Sequence, residues 1–175
     1  MFNEVEPQGA VRIAGQIVGH GGQALDDLSK AQTGGYLWDG PVAVALCSNP
    51  EAQCPLSEML LDLRGTQLVE VGIGTGDDIP YDWLENWAQN LSYIILDADA
   101  WGGVPALVGF CMWLRRLAPS VPIIILSSDP DDQDFTTERI QICDVTVTKP
   151  FTARAMSHAL ATAEHNNSIY IQSFA

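Results

Sequence analysis

Apolar and polar residues come in blocks along this chain, and the blocks switch between strand and helix length. Pro41 to Leu46, Thr66 to Val71, Tyr93 to Leu96, Ile123 to Leu126 and Val145 to Val147 are short runs, nearly all apolar or β-branched. Runs of that length without a polar face read as strands buried on both sides of a parallel sheet. Between them the period changes. Leu56, Met59, Leu60 and Leu63 stand at i, i+3, i+4 and i+7, which predicts a helix from about Pro55 to Arg64, stopped at Gly65. Leu84, Trp87, Ala88 and Leu91 form the stripe of a second helix, opened by a capping-box pattern of Asp82 with Glu85. Pro105 opens a third, with Leu107, Phe110, Cys111, Leu114 and Leu117 inward and Arg115 and Arg116 near its end. A fourth, weakly patterned and acidic, is read around Asp131 to Gln141, and Thr152 caps a last one carrying Met156, Ala159, Leu160 and Ala163. Five β–α units in sequence predict an α/β fold with a doubly wound, five-stranded parallel sheet, (βα)5 and flavodoxin-like.

The ends are patterned differently. Residues 1–40 are glycine-rich, with Gly19, Gly21 and Gly22 around His20 and a Gly34–Gly35 pair. Val11, Ile13, Gly15 and Ile17 alternate with Arg12, Ala14 and Gln16 as in a short strand, and Ala24 to Ala31 reads as a brief helix. The segment suits an arm or a cap, or a dimerisation arm, and holds no cluster of ligands or nucleophiles. The expected division is therefore an extension over 1–40, a domain over 41–164 and a tail over 165–175. In the tail, Ile169 and Ile171 alternate with polar neighbours, which suggests an extra edge strand over Ser168 to Phe174.

Composition narrows the function classes. The chain has 175 residues, enough for one domain plus an extension, and its 47% hydrophobic content supplies a sizeable core. Charges interrupt every apolar stretch before transmembrane length, and no basic start precedes an apolar core at the N-terminus, so neither a membrane span nor a secretion signal is expected. Cys47, Cys54, Cys111 and Cys143 form no CxxC and lie in or beside apolar segments, which fits reduced thiols and a cytoplasmic location. The net charge of −14 argues against nucleic acid as a partner. His20, His158 and His165 have no metal-ligand spacing.

The candidate chemistry lies at strand ends. Three successive strands end in Asp97, in Ser127 and in Lys149 of a Lys-Pro pair. Parallel sheets of this kind act just beyond the carboxyl ends of their strands, so the three should converge. A carboxylate beside a hydroxyl and an ammonium is equipment for accepting and holding a phosphoryl group. Lysine occurs only at Lys30 and Lys149, so one of the two stands at that edge.

These features resemble the receiver domain of two-component response regulators. The spacings are similar, 30 residues from Asp97 to Ser127 and 22 from Ser127 to Lys149, and the resemblance covers about Pro41 to Glu164. It implies that Asp97 is the phosphoacceptor, that Ser127 binds a phosphoryl oxygen and that Lys149 contacts it. It implies signalling through protein contact rather than enzymatic turnover. The implied partners are a histidine kinase, a phosphotransfer protein or a downstream regulator, with a homo-oligomer through the terminal segments also envisaged.

Three departures mark an atypical, pseudo-receiver form. Receivers hold Mg²⁺ with an acidic pair after the first strand, but Ser48 and Asn49 stand there, beside Cys47, a soft ligand ill suited to this ion. Asp97 is then the one carboxylate left to a metal site, so Mg²⁺ binding is expected to be weak and phosphorylation impaired or absent. Thr146 occupies the place of the switch aromatic, and Ala100-Trp101-Gly102-Gly103 replaces the usual hydrophobic-Pro turn. Asp99 reads as a solvated loop residue, or as an added ligand. The alternative is a competent stand-alone phosphoacceptor at Asp97. A third reading comes from Val69 to Gly76, which looks like the glycine-rich motif of class I methyltransferases, with Asp97 as ribose ligand and adenosylmethionine bound. Such enzymes need about seven strands, and only three core strands follow the motif.

Overall fold

The computed structural model describes residues 11–13, 16–20, 40–48, 54–73 and 79–173. The strands are β1 (Val11–Ile13), β2 (Gln16–His20), β3 (Val42–Cys47), β4 (Gln67–Gly72), β5 (Tyr93–Asp97), β6 (Ile123–Ser127) and β7 (Val145–Thr148). The helices are α1 (Cys54–Arg64), α2 (Tyr81–Trp87), α3 (Val104–Leu117) and α4 (Ala153–Gln172).

The sheet runs β1-β2-β4-β3-β5-β6-β7. Its five strands from β4 to β7 are all parallel, which is the doubly wound sheet the apolar runs predict. Alternate side chains go to opposite layers. Val42, Val44, Leu46, Ile94, Leu96, Ile123 and Ile125 pack with Leu84 of α2 and Leu107, Phe110 and Leu114 of α3. Ala43, Ala45, Tyr93, Ile95, Ile124 and Leu126 pack with Leu56 and Leu60 of α1 and Met156, Ala159 and Leu160 of α4. The strand order reverses between β3 and β5, and Cys47 and Asp97 end the two strands at this switch point, the place where sheets of this kind bind ligands.

The extension joins this sheet. A single short strand is expected over 11–17; instead β1 and β2 pair antiparallel, and β2 adds parallel to β4 with Ile17 opposite Val69 and His20 opposite Gly72. An edge strand with unpaired backbone groups is thereby covered. The helix expected over 24–31 and the glycines 74–76 lie outside the described residues.

Three expectations are corrected. The acidic segment after β6 is not a helix. It makes one 3-10 turn, Pro130–Asp132, and then a loop. Asp129 accepts from the Asp131 N–H at 3.0 Å, and Asp134 accepts from Thr136 N–H and hydroxyl at 2.8 and 2.7 Å. Such local bonds compete with helical ones. The loop also exchanges both backbone hydrogen bonds between Asp134 and Thr146, at 3.1 and 2.8 Å, along the outer side of β7. Second, Ser168 to Gln172 is no strand but the end of α4, because the inward stripe Ala163, Asn166, Asn167 and Tyr170 keeps helical spacing. Third, α2 starts after Pro80 with no side-chain cap, so Asp82 sits in the first turn instead of capping it.

Candidate functional site

Adjacent parallel strands end together, and that places the strand-end residues side by side. Asp97 is opposite Leu126 and Ser127 is opposite Thr148, with Lys149 one residue on. Asp97 and Ser127 are buried, while the Lys149 side chain is 21% exposed. Lys149 Nζ donates to Asp97 Oδ1 at 2.7 Å. Ser127 does not meet either of them within hydrogen-bond distance. Its hydroxyl donates to Asp132 Oδ2 at 2.7 Å and accepts from the Asp129 N–H at 3.1 Å. A hydroxyl has one proton, and Asp132 holds this one.

Asp99 is drawn to the same edge, although its side chain stays exposed as a loop residue's would. The 3-10 turn Ala98–Trp101 swings it back, helped by the Asp99 N–H donating to Asp97 Oδ1 at 3.2 Å. Its Oδ2 accepts from Lys149 Nζ at 2.6 Å and from the Ser128 hydroxyl at 2.5 Å. Its Oδ1 accepts from the Ser128 N–H at 3.2 Å. Partial burial acts to raise the Asp99 carboxyl, but these donors hold it below the usual carboxylate range. Burial likewise acts to lower the Lys149 ammonium, and Asp97 and Asp99 together hold it above its ordinary value. The lysine is charged and sits between two carboxylates.

The donor set fits a divalent cation poorly. Magnesium takes hard oxygen ligands and prefers carboxylates. Cys47 is buried and its thiol is pushed up to about 12, by burial first and then by Glu70 and Asp97. A protonated thiol is no ligand. Ser48 is an exposed neutral hydroxyl, and Asn49 lies outside the described residues. Asp97 already carries an ammonium. Among the described residues no group of three or more His, Cys, Asp or Glu is arranged to hold a metal ion.

Thr146, at the position where an aromatic switch would stand, is fully buried inside β7 and lies 3.7 Å from Cys143 Sγ. Trp101 stacks on Phe110 with ring centroids 4.9 Å apart, and its Nε1 is buried without a hydrogen-bond partner. Cys47, Cys111 and Cys143 are free and buried.

Several polar residues inside the protein escape pattern reading. Glu70, on β4, is fully buried, and neither carboxyl oxygen has a partner. Burial pushes it up to about 7. Arg115 is buried against Asp144 as an ion pair, with Nη2 2.8 Å from Oδ1. Its guanidinium lies 4.5 Å from the centre of the Tyr170 ring. Asn166 donates to the carbonyls of Asp144, Thr136 and Phe135 at 2.7, 3.2 and 3.4 Å, and ties the loop after β6 to α4. The signal available in the sequence was weak: Glu70 interrupts an apolar run, and Arg115 falls one residue from the inward Leu114.

No protein-family model matches the sequence, and a search of curated proteins finds no match. Solved structures do match. The chain is similar to a response regulator receiver domain protein from Clostridium thermocellum, with TM-score 0.55 and 14% identity over 74% of this chain and 98% of that one. It is similar to a putative pilus assembly-related protein from Burkholderia pseudomallei, with TM-score 0.53 and 13% identity over 75% and 94%. It is also similar to a sensor protein from Polaromonas, with TM-score 0.52 and 16% identity over 73% and 98%. At such identities the likeness concerns architecture, and the fold of this chain is the flavodoxin-like fold of response regulator receiver domains.

Proposed function

We propose that this chain is an atypical receiver-like module of two-component or phosphorelay-type signalling. It works through protein contact, with phosphorylation of Asp97 impaired or absent. One observation carries this reading: the strand-end edge is saturated by the chain's own groups. Lys149 is shared by Asp97 and Asp99, and the Ser127 proton goes to Asp132. Phosphoryl transfer to Asp97 needs a counter-charge for the incoming phosphoryl, and Ser48 and Asn49 stand in the sequence where an acidic pair would hold Mg²⁺. The buried Thr146 has no aromatic ring to carry a rotamer signal.

The partner is a protein: a kinase, a phosphotransfer protein or a downstream regulator in the cytoplasm. A charge of −14 disfavours nucleic acid, and among the described residues no helix is long and apolar enough to cross a membrane. A second copy is a further candidate partner. The outer side of β7 is taken by Asp134, whereas β1 ends the sheet among the described residues. Removing residues 1–13 should then turn a dimer into a monomer by light scattering, and an unchanged oligomer rules out that contact.

The deciding experiment exposes the full chain to acetyl phosphate and Mg²⁺ and follows intact mass. No adduct is expected. Stoichiometric labelling that disappears in Asp97→Asn would establish instead the competent phosphoacceptor, the alternative favoured by the contact of Lys149 with Asp97. Calorimetry with adenosylmethionine, expected to show no heat of binding, disposes of the enzyme reading.

A further inference from the structure

Three donors from two strand ends converge on one carboxylate. Lys149 Nζ and Ser128 Oγ meet Asp99 Oδ2 at 2.6 and 2.5 Å, and the Ser128 N–H meets Oδ1 at 3.2 Å. Asp99 comes from the turn after β5, Ser128 follows β6 and Lys149 follows β7. A backbone N–H, a hydroxyl and an ammonium aimed at one point make an oxyanion cradle, since each donates and none accepts in that geometry. The same ammonium touches Asp97 Oδ1 at 2.7 Å, so the cradle adjoins the Asp97 carboxylate.

We infer that Asp99 is a built-in ligand of this cradle, filling a subsite shaped for a small tetrahedral oxyanion such as phosphate. Its carboxylate supplies the negative charge and the acceptor oxygens that a free anion would bring. It does so without diffusion and without release, because it is tethered two residues from Asp97. The ends of β5, β6 and β7 are therefore tied together permanently, and the module holds one state instead of two. This inference rests on the phosphorylation-independent reading above and deepens it, by naming the group that makes phosphate redundant.

The fold itself does not depend on Asp99. The side chain is 40% exposed, at a turn outside the core, so Asp99→Ala should fold. That variant frees the cradle. The probe is inorganic phosphate, titrated into the full chain and followed by calorimetry and by ³¹P line broadening. Wild type should show no saturable binding, and Asp99→Ala should bind at least about tenfold more tightly, a change of the size carried by one or two charge-assisted hydrogen bonds. Asp99→Asn keeps the side chain's volume and should bind more weakly than Asp99→Ala. Adding Lys149→Ala to Asp99→Ala should abolish the gain, because the ammonium is the charged donor of the cradle.

Circular dichroism and the melting temperature show that each variant is folded. If folded Asp99→Ala binds phosphate no better than wild type, the inference is wrong, and the functional reading stands as long as wild type takes no label from acetyl phosphate. If wild type is labelled on Asp97, the functional reading fails first, whatever Asp99→Ala does. Phosphate binding by Asp99→Ala that persists without Lys149 places the anion elsewhere and also overturns the inference.

Discussion

Single side chains here are governed by whether their charge finds a partner. Lys149 neutralises Asp97 and Asp99 at once. Removing it as Lys149→Met leaves the buried Asp97 carboxylate without its ammonium. Truncating one partner of a buried pair is strongly destabilising, and partial exposure of the lysine moderates this to about 2 kcal/mol, measurable by urea denaturation. Adding Asp97→Asn should recover much of the loss; no recovery would mean that the lysine acts by packing. Glu70 has no partner, so its effect depends on pH. Its folded-state value is about 7 against 4.5 when unfolded. Below pH 4.5 both states hold the proton and nothing is lost. From pH 4.5 to 7 the unfolded state releases it first, so stability falls, by about 3 kcal/mol in all once the pH passes 7. Glu70→Gln should therefore match wild type near pH 4.5 and exceed it at pH 8. Parallel stability curves for the two proteins refute this.

At the scale of elements, local bonding decided whether a segment became a helix. The stretch after β6 has acidic and hydroxyl side chains that cap their own backbone, and Asp134 pairs with Thr146 along the side of β7. Asn166 of α4 then holds that loop by the carbonyls of Phe135, Thr136 and Asp144. Asn166→Ala leaves three buried or half-buried carbonyls short of a donor, at a cost of about 2 kcal/mol. Amide exchange over 134–137 should quicken more than in β5. Uniform exchange across the two would show that the loop does not rely on α4. Arg115 and Asp144 lock the opposite end of the sheet, where Asp144 Oδ2 also accepts from the Ile123 N–H at 2.7 Å.

The whole molecule carries −14 over a surface with few positive side chains. A basic protein face is the natural counterpart, and rim charge sets association rate more than affinity. For the partner captured from cytosol, association should slow as salt approaches 0.5 M, where the Debye length is roughly 4 Å. Asp97→Ala should leave binding unchanged if phosphate plays no part. The acids to reverse are the exposed Asp131 and Glu138, since Asp132 is engaged with Ser127. A partner bound equally fast at all salt concentrations would remove charge from the account of recognition.

The sequence by itself determined the layered sheet, because five apolar runs of strand length with helical stripes between them have one economical way to bury both faces. It also determined which residues end β5 and β6 and which follows β7, since Asp97, Ser127 and Lys149 close those runs. The tertiary structure alone decided what these residues touch. Asp99 looks like any loop acid in the sequence, and only the turn Ala98–Trp101 carries its carboxylate to Ser128 and Lys149. Ser127 turns to Asp132 because the 3-10 turn Pro130–Asp132 returns that residue to the strand end. The buried Glu70, the Arg115–Asp144 pair and the Asn166 tether were equally invisible, because polar residues inside a protein follow no period. Hydrophobic patterning reports which side faces inward; a hydrogen bond depends on ångström-scale positions of groups far apart in the chain, and only the packed structure sets those.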